Sequence, residues 1–179
     1  MKFAYADPPY LGLCRVYEHH HPDGRCWDDL DTHRLLIDRL VAEYPDGWAL
    51  SLHSPSLRAV LPLCPDDVRV MAWVKPFASY KKGVYPAYAW EPVIVRGGRV
   101  MKATRTAEGG VPLLADWVAV PITLRRGFTG AKPERFVCWL MAVLGVAPDD
   151  EVCDLFPGSG AVGAAIDSWR RQAPLGFQP

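Results

Sequence analysis

The residues near the start of the chain that could do chemistry are Asp7-Pro8-Pro9-Tyr10, which follow the apolar run Phe3-Ala4-Tyr5-Ala6. Neither proline has an N–H to donate to a sheet ladder, so a strand formed by the apolar run must end here. The prolines stiffen a turn from which Asp7 and Tyr10 project at the carboxyl end of that strand. Ligands of open α/β sheets bind at this edge. A surface turn with a Pro-Pro kink explains the tetrapeptide by itself equally well.

A second candidate site is Asp154-Leu155-Phe156-Pro157-Gly158-Ser159-Gly160, which follows the apolar residues from Val152. This pattern predicts a strand end, a tight glycine turn and a helix that begins at Ala161. Glycines let a ligand approach the backbone, and the first turn of a helix presents free N–H groups to negative charge. Considered alone, such a turn is often only a tight connection.

The elements that must position these turns alternate along the chain. Helices are predicted where apolar residues recur at helical spacing: after Asp31 as far as Tyr44, over 56–63, from Pro133 in its first turn to Gly145, and from Ala161 to about Trp169. Residues 99–128 read as irregular and basic. Strands alternating with helices predict an α/β fold, with a mostly parallel, twisted sheet covered by helices on both faces.

Composition limits the class of protein. The chain has 179 residues, of which 50% are hydrophobic and 22% are charged, so a single globular domain is expected. No apolar run approaches the length of a membrane span, and residues 1–20 lack the order of a signal peptide. The cysteines are odd in number and scattered, which favours reduced thiols in a cytoplasmic protein over a disulfide framework: Cys14, Cys26, Cys64, Cys138 and Cys153.

Charge is unevenly distributed although the formal net charge is zero. Residues 69–135 hold 12 Lys and Arg against 4 Asp and Glu, an excess of 8 positive charges. The flanking segments are acidic. A basic middle third is what a surface that faces a polyanion would show, although a set of solvated basic loops would give the same count.

Together the two turns resemble the paired motifs of S-adenosylmethionine-dependent amino-methyltransferases. More specifically, the chain resembles the DNA adenine-N6 methyltransferases of permuted arrangement, in which the catalytic motif precedes the cofactor motif. Three further segments follow in the family's order, and the resemblance covers the chain from Phe3 to about Phe177: Trp73-Val74-Lys75-Pro76, Trp90-Glu91-Pro92-Val93-Ile94-Val95, and Phe128-Thr129-Gly130-Ala131-Lys132-Pro133 with Phe136.

The resemblance implies a Rossmann-like sheet with truncated C-terminal strands, in which the strands at the two ends of the chain lie side by side. It also implies one methyltransferase domain over 1–179, with a catalytic half (1–76), nucleic-acid-facing loops (77–128) and a cofactor-binding half (129–179). The implied strands are Phe3–Asp7, Trp48–Leu52, Arg69–Val74, Pro92–Val95 and Val152–Phe156.

The resemblance also assigns roles to residues. Asp7 and the Pro8 carbonyl would orient the target amine, Pro9 would hold the turn rigid, and Tyr10 would stack on the flipped base. S-adenosylmethionine would bind at Asp154, Phe156, Gly158, Ser159 and Gly160, with Lys132 and Pro133 closing over it. DNA would contact Lys75, Tyr80, Lys81, Lys82, Tyr85, Arg99, Lys102 and Arg105.

One departure from the family concerns the cofactor. Where the family has an acidic residue for the ribose hydroxyls, at the end of the strand after the glycine turn, this chain has Gln178 behind Leu175-Gly176-Phe177. Weak cofactor binding, completion of the site by a partner subunit such as a second copy, and loss of activity are all compatible with this change.

No metal is expected in the reaction, because the leaving group is a neutral thioether. The histidines at 19–21 with Cys14 and Cys26 match none of the strong zinc patterns. Two alternatives remain open: methylation of another amine, either cytosine N4 or adenine in RNA, and a nucleic-acid-binding relative without activity. Asp7 together with Tyr10 favours adenine, whereas serine in place of Asp7 would favour cytosine.

Overall fold

The computed structural model describes residues 1–14, 24–77, 82–100, 114–122 and 131–172. Six strands form one sheet in the order β5-β3-β4-β2-β1-β6. The strands are β1 (Lys2–Ala6), β2 (Gly47–Ser51), β3 (Arg69–Val74), β4 (Trp90–Gly97), β5 (Trp117–Ala119) and β6 (Glu151–Asp154). The α/β fold with a Rossmann-like, mostly parallel sheet is thereby confirmed.

Strand direction is uniform except in β4. Strand β1 runs parallel to both β2 and β6, and β3 runs parallel to β5, whereas β4 is antiparallel to its neighbours β2 and β3. The predicted adjacency of β1 and β6 is confirmed, with Tyr5 opposite Asp154 in the register. The first strand is therefore enclosed by partners on both sides.

Strand β5 was missed in the sequence, because it falls in the stretch that reads as irregular. It has only three residues, and its Trp117 is exposed, so it shows no apolar alternation. It is held to β3 by main-chain bonds and by Trp73, whose indole Nε1–H donates to the carbonyl of Val120 at 2.8 Å.

The helices are α1 (Leu30–Glu43), α2 (Leu57–Val60), α3 (Glu134–Leu144) and α4 (Ala161–Gln172), with short 3-10 turns over Gly24–Asp28, Ser54–Ser56 and Leu61–Leu63. Asp29 caps α1 by accepting the N–H of Asp31 at 3.0 Å. Pro133 lies at the N-cap of α3, one residue outside the helix. None of the described helices has both the length and the apolar character that crossing a membrane requires.

Helices cover both faces of the sheet, as predicted, because side chains of successive strand residues point to opposite faces. Phe3 and Tyr5 pack in a core with residues of α3 and α4. Ala4 and Ala6 pack in the second core, with residues of α1 and α2. Strand β1 therefore contributes to both cores and is buried along most of its length.

Phe136 of α3 lies in the first core, fully buried between the rings of Tyr5, Trp73 and Trp139. We expect Phe136→Ala to lower the free energy of unfolding by about 3–5 kcal/mol, because it removes a buried ring and leaves a cavity. Chemical denaturation measures the change. Leu35→Ala, at a side chain that is 69% exposed on α1, is the control and should change stability by less than about 0.5 kcal/mol. Equal losses in the two variants would contradict this packing.

Candidate active site

The two predicted turns meet at the carboxyl edge of the sheet. Asp7 follows β1 directly, and Asp154 is the last residue of the neighbouring strand β6. The strands stay in register to their ends, where the N–H of Leu155 donates to the carbonyl of Tyr5 at 3.0 Å. The structure therefore brings Asp7 and Asp154 to the same edge from opposite ends of the chain.

The carboxylate of Asp7 is engaged at both oxygens. Lys132 Nζ lies 2.8 Å from Oδ2, and the hydroxyl of Tyr10 donates to Oδ1 at 3.1 Å. Lys132 also donates to the Tyr10 hydroxyl at 3.1 Å. The Lys132 side chain is only 4% exposed and the Asp7 side chain is 21% exposed, so this contact is largely shielded from water. Lys132, predicted to cover the cofactor, therefore also contacts the turn that holds Asp7 and Tyr10.

A second carboxylate, Glu91 of β4, completes this cluster and was not singled out in the sequence. Glu91 Oε2 accepts the Tyr10 hydroxyl at 3.1 Å and lies 3.9 Å from Lys132 Nζ. Glu91 Oε1 is paired with Lys75. The one available signal was an acidic residue at the start of an apolar strand, and it did not show which residues lie across from it.

The cations around Glu91 determine its charge. Burial favours the neutral acid, but Lys132 and Lys75 outweigh that effect and hold the pKa of Glu91 below its ordinary value. Glu91 is therefore ionised at neutral pH. The side chains of Asp7, Glu91, Lys75 and Lys132 form two carboxylate and two ammonium groups in one balanced cluster.

Tyr10 is buried within the site, with 6% of its surface exposed. Its ring stacks on His53, with ring centroids 5.5 Å apart and planes 5° from parallel. His53 is in turn oriented by a 2.9 Å hydrogen bond between its Nδ1 and Ser56 Oγ. The Tyr10 carbonyl accepts the N–H of Leu13 at 2.8 Å, which closes the turn. No sequence pattern pointed to His53, because only the tertiary fold places it against Tyr10.

The glycine turn after β6 is built as predicted. The N–H of Phe156 donates to Asp154 Oδ1 at 3.2 Å, and the backbone of Gly158 and Gly160 has positive φ angles of 44° and 72°. A methyl group placed on Gly160 would meet no described atom within 4 Å. Ser159 lies between the two glycines, at the start of α4.

The two carboxylate oxygens of Asp154 differ in their hydrogen bonding within the described residues. Its Oδ2 is buried and has no hydrogen-bond partner within the described part of the chain. Burial raises the pKa of Asp154, and the negative charge of Asp7 raises it further, while the Phe156 N–H opposes the shift. A buried acceptor of this kind is suited to a cationic ligand group.

An aromatic cleft of about 410 Å³ lies beside this cluster. Two of its lining residues are sequence neighbours of the site, since Ser54 follows His53 and Trp90 precedes Glu91. Tyr85 is fully exposed at the cleft, and Tyr88 is 52% exposed. The lining residues are Ser54, Gly83, Val84, Tyr85, Pro86, Ala87, Tyr88, Ala89 and Trp90.

The predicted nucleic-acid contacts fall in different places. Lys75 belongs to the buried charge cluster, whereas Lys82 and Tyr85 are exposed. Arg99 is not brought to this edge: its guanidinium pairs with Asp150 at 2.6 Å, just before β6 begins, so it lies at the opposite edge of the sheet. Tyr80, Lys81, Lys102 and Arg105 lie outside the described residues, as do the histidines at 19–21 and the segment with Gln178.

Metal ligands do not gather in the described ranges, where no three His, Cys, Asp or Glu side chains are grouped so that they could hold an ion. The cation partners in the site are instead Lys75 and Lys132. The two turns place hydrogen-bond acceptors at this edge, at Asp7 and Asp154.

Comparison with known proteins identifies the fold. No family model and no curated protein matches the sequence. The M1.HpyAVI-SAM complex is similar over 94% of this chain and 77% of that chain, with 15% identity and a TM-score of 0.56. M1.HpyAVI has 13% identity, a TM-score of 0.50 and coverages of 94% and 76%. PvuII DNA methyltransferase, which is cytosine-N4-specific, has 14% identity, a TM-score of 0.61 and coverages of 94% and 71%. The chain therefore shares the fold of these proteins.

Proposed function

We propose that the protein transfers a methyl group from S-adenosylmethionine to an exocyclic amine of a base in DNA, namely N6 of adenine. The observation that carries the proposal is the meeting of Asp7 and Asp154 at one sheet edge, each at the end of a parallel strand. One turn supplies amine acceptors and the other supplies an open glycine turn with a buried carboxylate. The shared fold, seen in one protein in complex with SAM and in one DNA methyltransferase, supports the assignment.

Methyl transfer requires that the lone pair of the target amine point toward the methyl group of the cofactor. The lone pair of the adenine amine is conjugated with its ring, so acceptors must hold both N–H bonds and turn the lone pair toward the sulfonium methyl. Asp7 and the Pro8 carbonyl are those acceptors, and Pro9 keeps them rigid. The nitrogen attacks the methyl carbon, the electrons of the sulfur–carbon bond return to sulfur, and the cationic amine then releases its proton.

Tyr10 supports the base. One face of its ring carries His53, and the Lys132 ammonium lies beside the hydroxyl, 3.1 Å from its oxygen and 5.6 Å from the ring centroid. Stacking on a tyrosine suits an extruded base, since every base has a planar face.

The cofactor would lie against the glycine turn. Asp154 Oδ2, which is buried without a described partner, accepts from the cationic amino group of the methionine portion. Phe156, Gly158, Ser159 and Gly160 surround the remainder, with Lys132 and Pro133 closing over it. When bound, the cofactor supplies an electrophilic methyl group.

Cytosine N4 is the second candidate target, favoured by the similarity to the cytosine-N4-specific PvuII enzyme. Both amines are conjugated, so the same acceptors can serve either base. The Asp7 and Tyr10 combination favours adenine. An assay of the product therefore has to identify the methylated base as well as detect transfer.

The activity is tested by incubating the protein with S-adenosylmethionine and DNA, digesting to nucleosides and identifying the product by mass spectrometry. We expect N6-methyladenine, and a loss of at least about 100-fold in rate for Asp7→Asn, because the amide loses the charge that orients the amine. Asp67→Asn is the control, since Asp67 forms an exposed ion pair with Arg96. If the product is N4-methylcytosine, the target is cytosine N4 and not adenine N6. Undiminished activity in Asp7→Asn would disprove the mechanism.

Cofactor binding is tested calorimetrically with Asp154→Asn. We expect saturable heat with the natural protein and a loss of at least about tenfold in affinity in the variant. Because the pKa of Asp154 is raised, its ionised form costs folding free energy above that pKa, and the cost disappears as pH falls through it. Asp154→Asn should therefore unfold at the same or a higher temperature at pH 7.

Asp167→Asn, at an exposed carboxylate of α4, is the matched control and should retain full affinity. Absence of saturable heat in the natural protein would favour the inactive, nucleic-acid-binding alternative. A variant that lost both affinity and thermal stability would show that Asp154 serves the fold and not the cofactor.

The aromatic cleft is the part of this site proposed to bind the strand around the target base. Tyr85→Ala and Tyr88→Ala should each weaken binding of a fluorescent single-stranded oligonucleotide about tenfold in anisotropy titrations, because each variant removes a stacking surface. Trp117→Ala removes an exposed ring outside the cleft and should leave binding unchanged. Equal affinities in all four proteins would place the nucleic acid elsewhere. Parallel titrations with RNA and duplex DNA show which kind of nucleic acid the protein binds most tightly.

A further inference from the structure

One ammonium group lies between two carboxylates in the candidate active site. Lys132 Nζ is 2.8 Å from Asp7 Oδ2 and 3.9 Å from Glu91 Oε2. A charge-assisted hydrogen bond has a length of about 2.8 Å, so a shift of about 1 Å would transfer Lys132 from one partner to the other. The side chain is almost fully buried, which leaves it no aqueous alternative.

Lys132 competes with a target amine for Asp7. Each carboxylate oxygen already has one donor, Lys132 at Oδ2 and the Tyr10 hydroxyl at Oδ1, and each such bond weakens that oxygen as an acceptor for the amine. Methyl transfer also makes the amine cationic, and an ammonium group that stayed 2.8 Å from the same carboxylate would oppose that charge. The proposed reaction is therefore favoured when Lys132 leaves Asp7.

Glu91 is positioned to accept the Lys132 ammonium. Its Oε1 is held by Lys75, whose ammonium also lies 4.9 Å from the centre of the Trp73 ring. That contact leaves Oε2 directed toward Tyr10 and Lys132. Since Glu91 lies opposite Trp73 in the ladder between β3 and β4, the carboxylate is presented from a fixed backbone.

The Tyr10 hydroxyl completes the exchange. Its single proton has two acceptors, Asp7 Oδ1 and Glu91 Oε2, both at 3.1 Å, and it can serve only one of them at a time. When a target amine donates to Asp7, the hydroxyl can rotate to Glu91. Both groups that occupy Asp7 therefore have the same alternative partner.

We propose that Glu91 is a positioning residue that takes Lys132, and the proton of the Tyr10 hydroxyl, from Asp7 when the target amine binds. This inference rests on the proposed function, since the exchange matters only if Asp7 holds an amine. When no target amine is bound, Lys132 stays paired with Asp7. In the occupied site the same ammonium neutralises Glu91.

The test compares two oligonucleotides that differ by one amine: one contains a single adenine, and the other has purine at that position and so lacks the exocyclic amine. Binding is measured by anisotropy with the natural protein, Glu91→Gln, Lys132→Met and the double variant, all without cofactor. The natural protein should prefer adenine about tenfold. Glu91→Gln should lose that preference because Lys132 stays on Asp7, and Glu91→Gln with Lys132→Met should regain it. Glu43→Gln, at an exposed carboxylate of α1, is the control for loss of a charge.

The outcomes separate the inference from the function on which it rests. Restored preference in the double variant supports the exchange, because a purely structural role of Glu91 would give losses that add. Additive losses, or a Glu91→Gln protein that still prefers adenine, would disprove the exchange while methylation by the natural protein stands. A natural protein that neither methylates DNA nor distinguishes adenine from purine would instead disprove the proposed function. Melting curves of each variant identify any that fail to fold.

Discussion

The parallel pairing of β1 with both β2 and β6 is the constraint on which the site depends. Because β1 is enclosed on both sides, its register is fixed by two ladders, and Tyr5 is held opposite Asp154. The residues that follow the two strands must then emerge together at one edge. Parallel strands end at the same edge of a sheet, so Asp7 and the glycine turn need no long loop to meet.

Placing the charge cluster at this edge costs desolvation free energy. Buried ion pairs contribute little net stability, since the desolvation of each charge offsets the attraction between them. Apolar residues of similar volume would hold the same elements together at least as well. The grouping of Asp7, Glu91, Lys75 and Lys132 around Tyr10 therefore adds little to the stability of the fold, and charge clusters of this kind are common at functional sites.

The sequence allowed the prediction of features that are local or that repeat along the chain. The strands next to Asp7 and Asp154 end at a proline pair and at a glycine turn, and those signals are contained in a few residues. Glu91 and His53 could not be found in that way, since their roles come from neighbours across the sheet and across the site. Basic composition likewise suggested nucleic acid for Arg99, but its partner Asp150 is distant in sequence. Short β5 had no pattern to detect.

Strand β4 runs opposite to its neighbours β2 and β3, so it begins at the edge where they end. The other five strands end at the edge that holds Asp7 and Asp154, whereas β4 begins there, with Glu91 opposite Trp73 in the ladder. The segment that joins β3 to β4 can therefore change in length and composition while Glu91 keeps its place, because the ladders and not the loop determine it. Under the proposed function, preference for different nucleic acids can diverge in that segment beyond Lys75, next to the cleft, without disturbing the charges proposed to hold the amine.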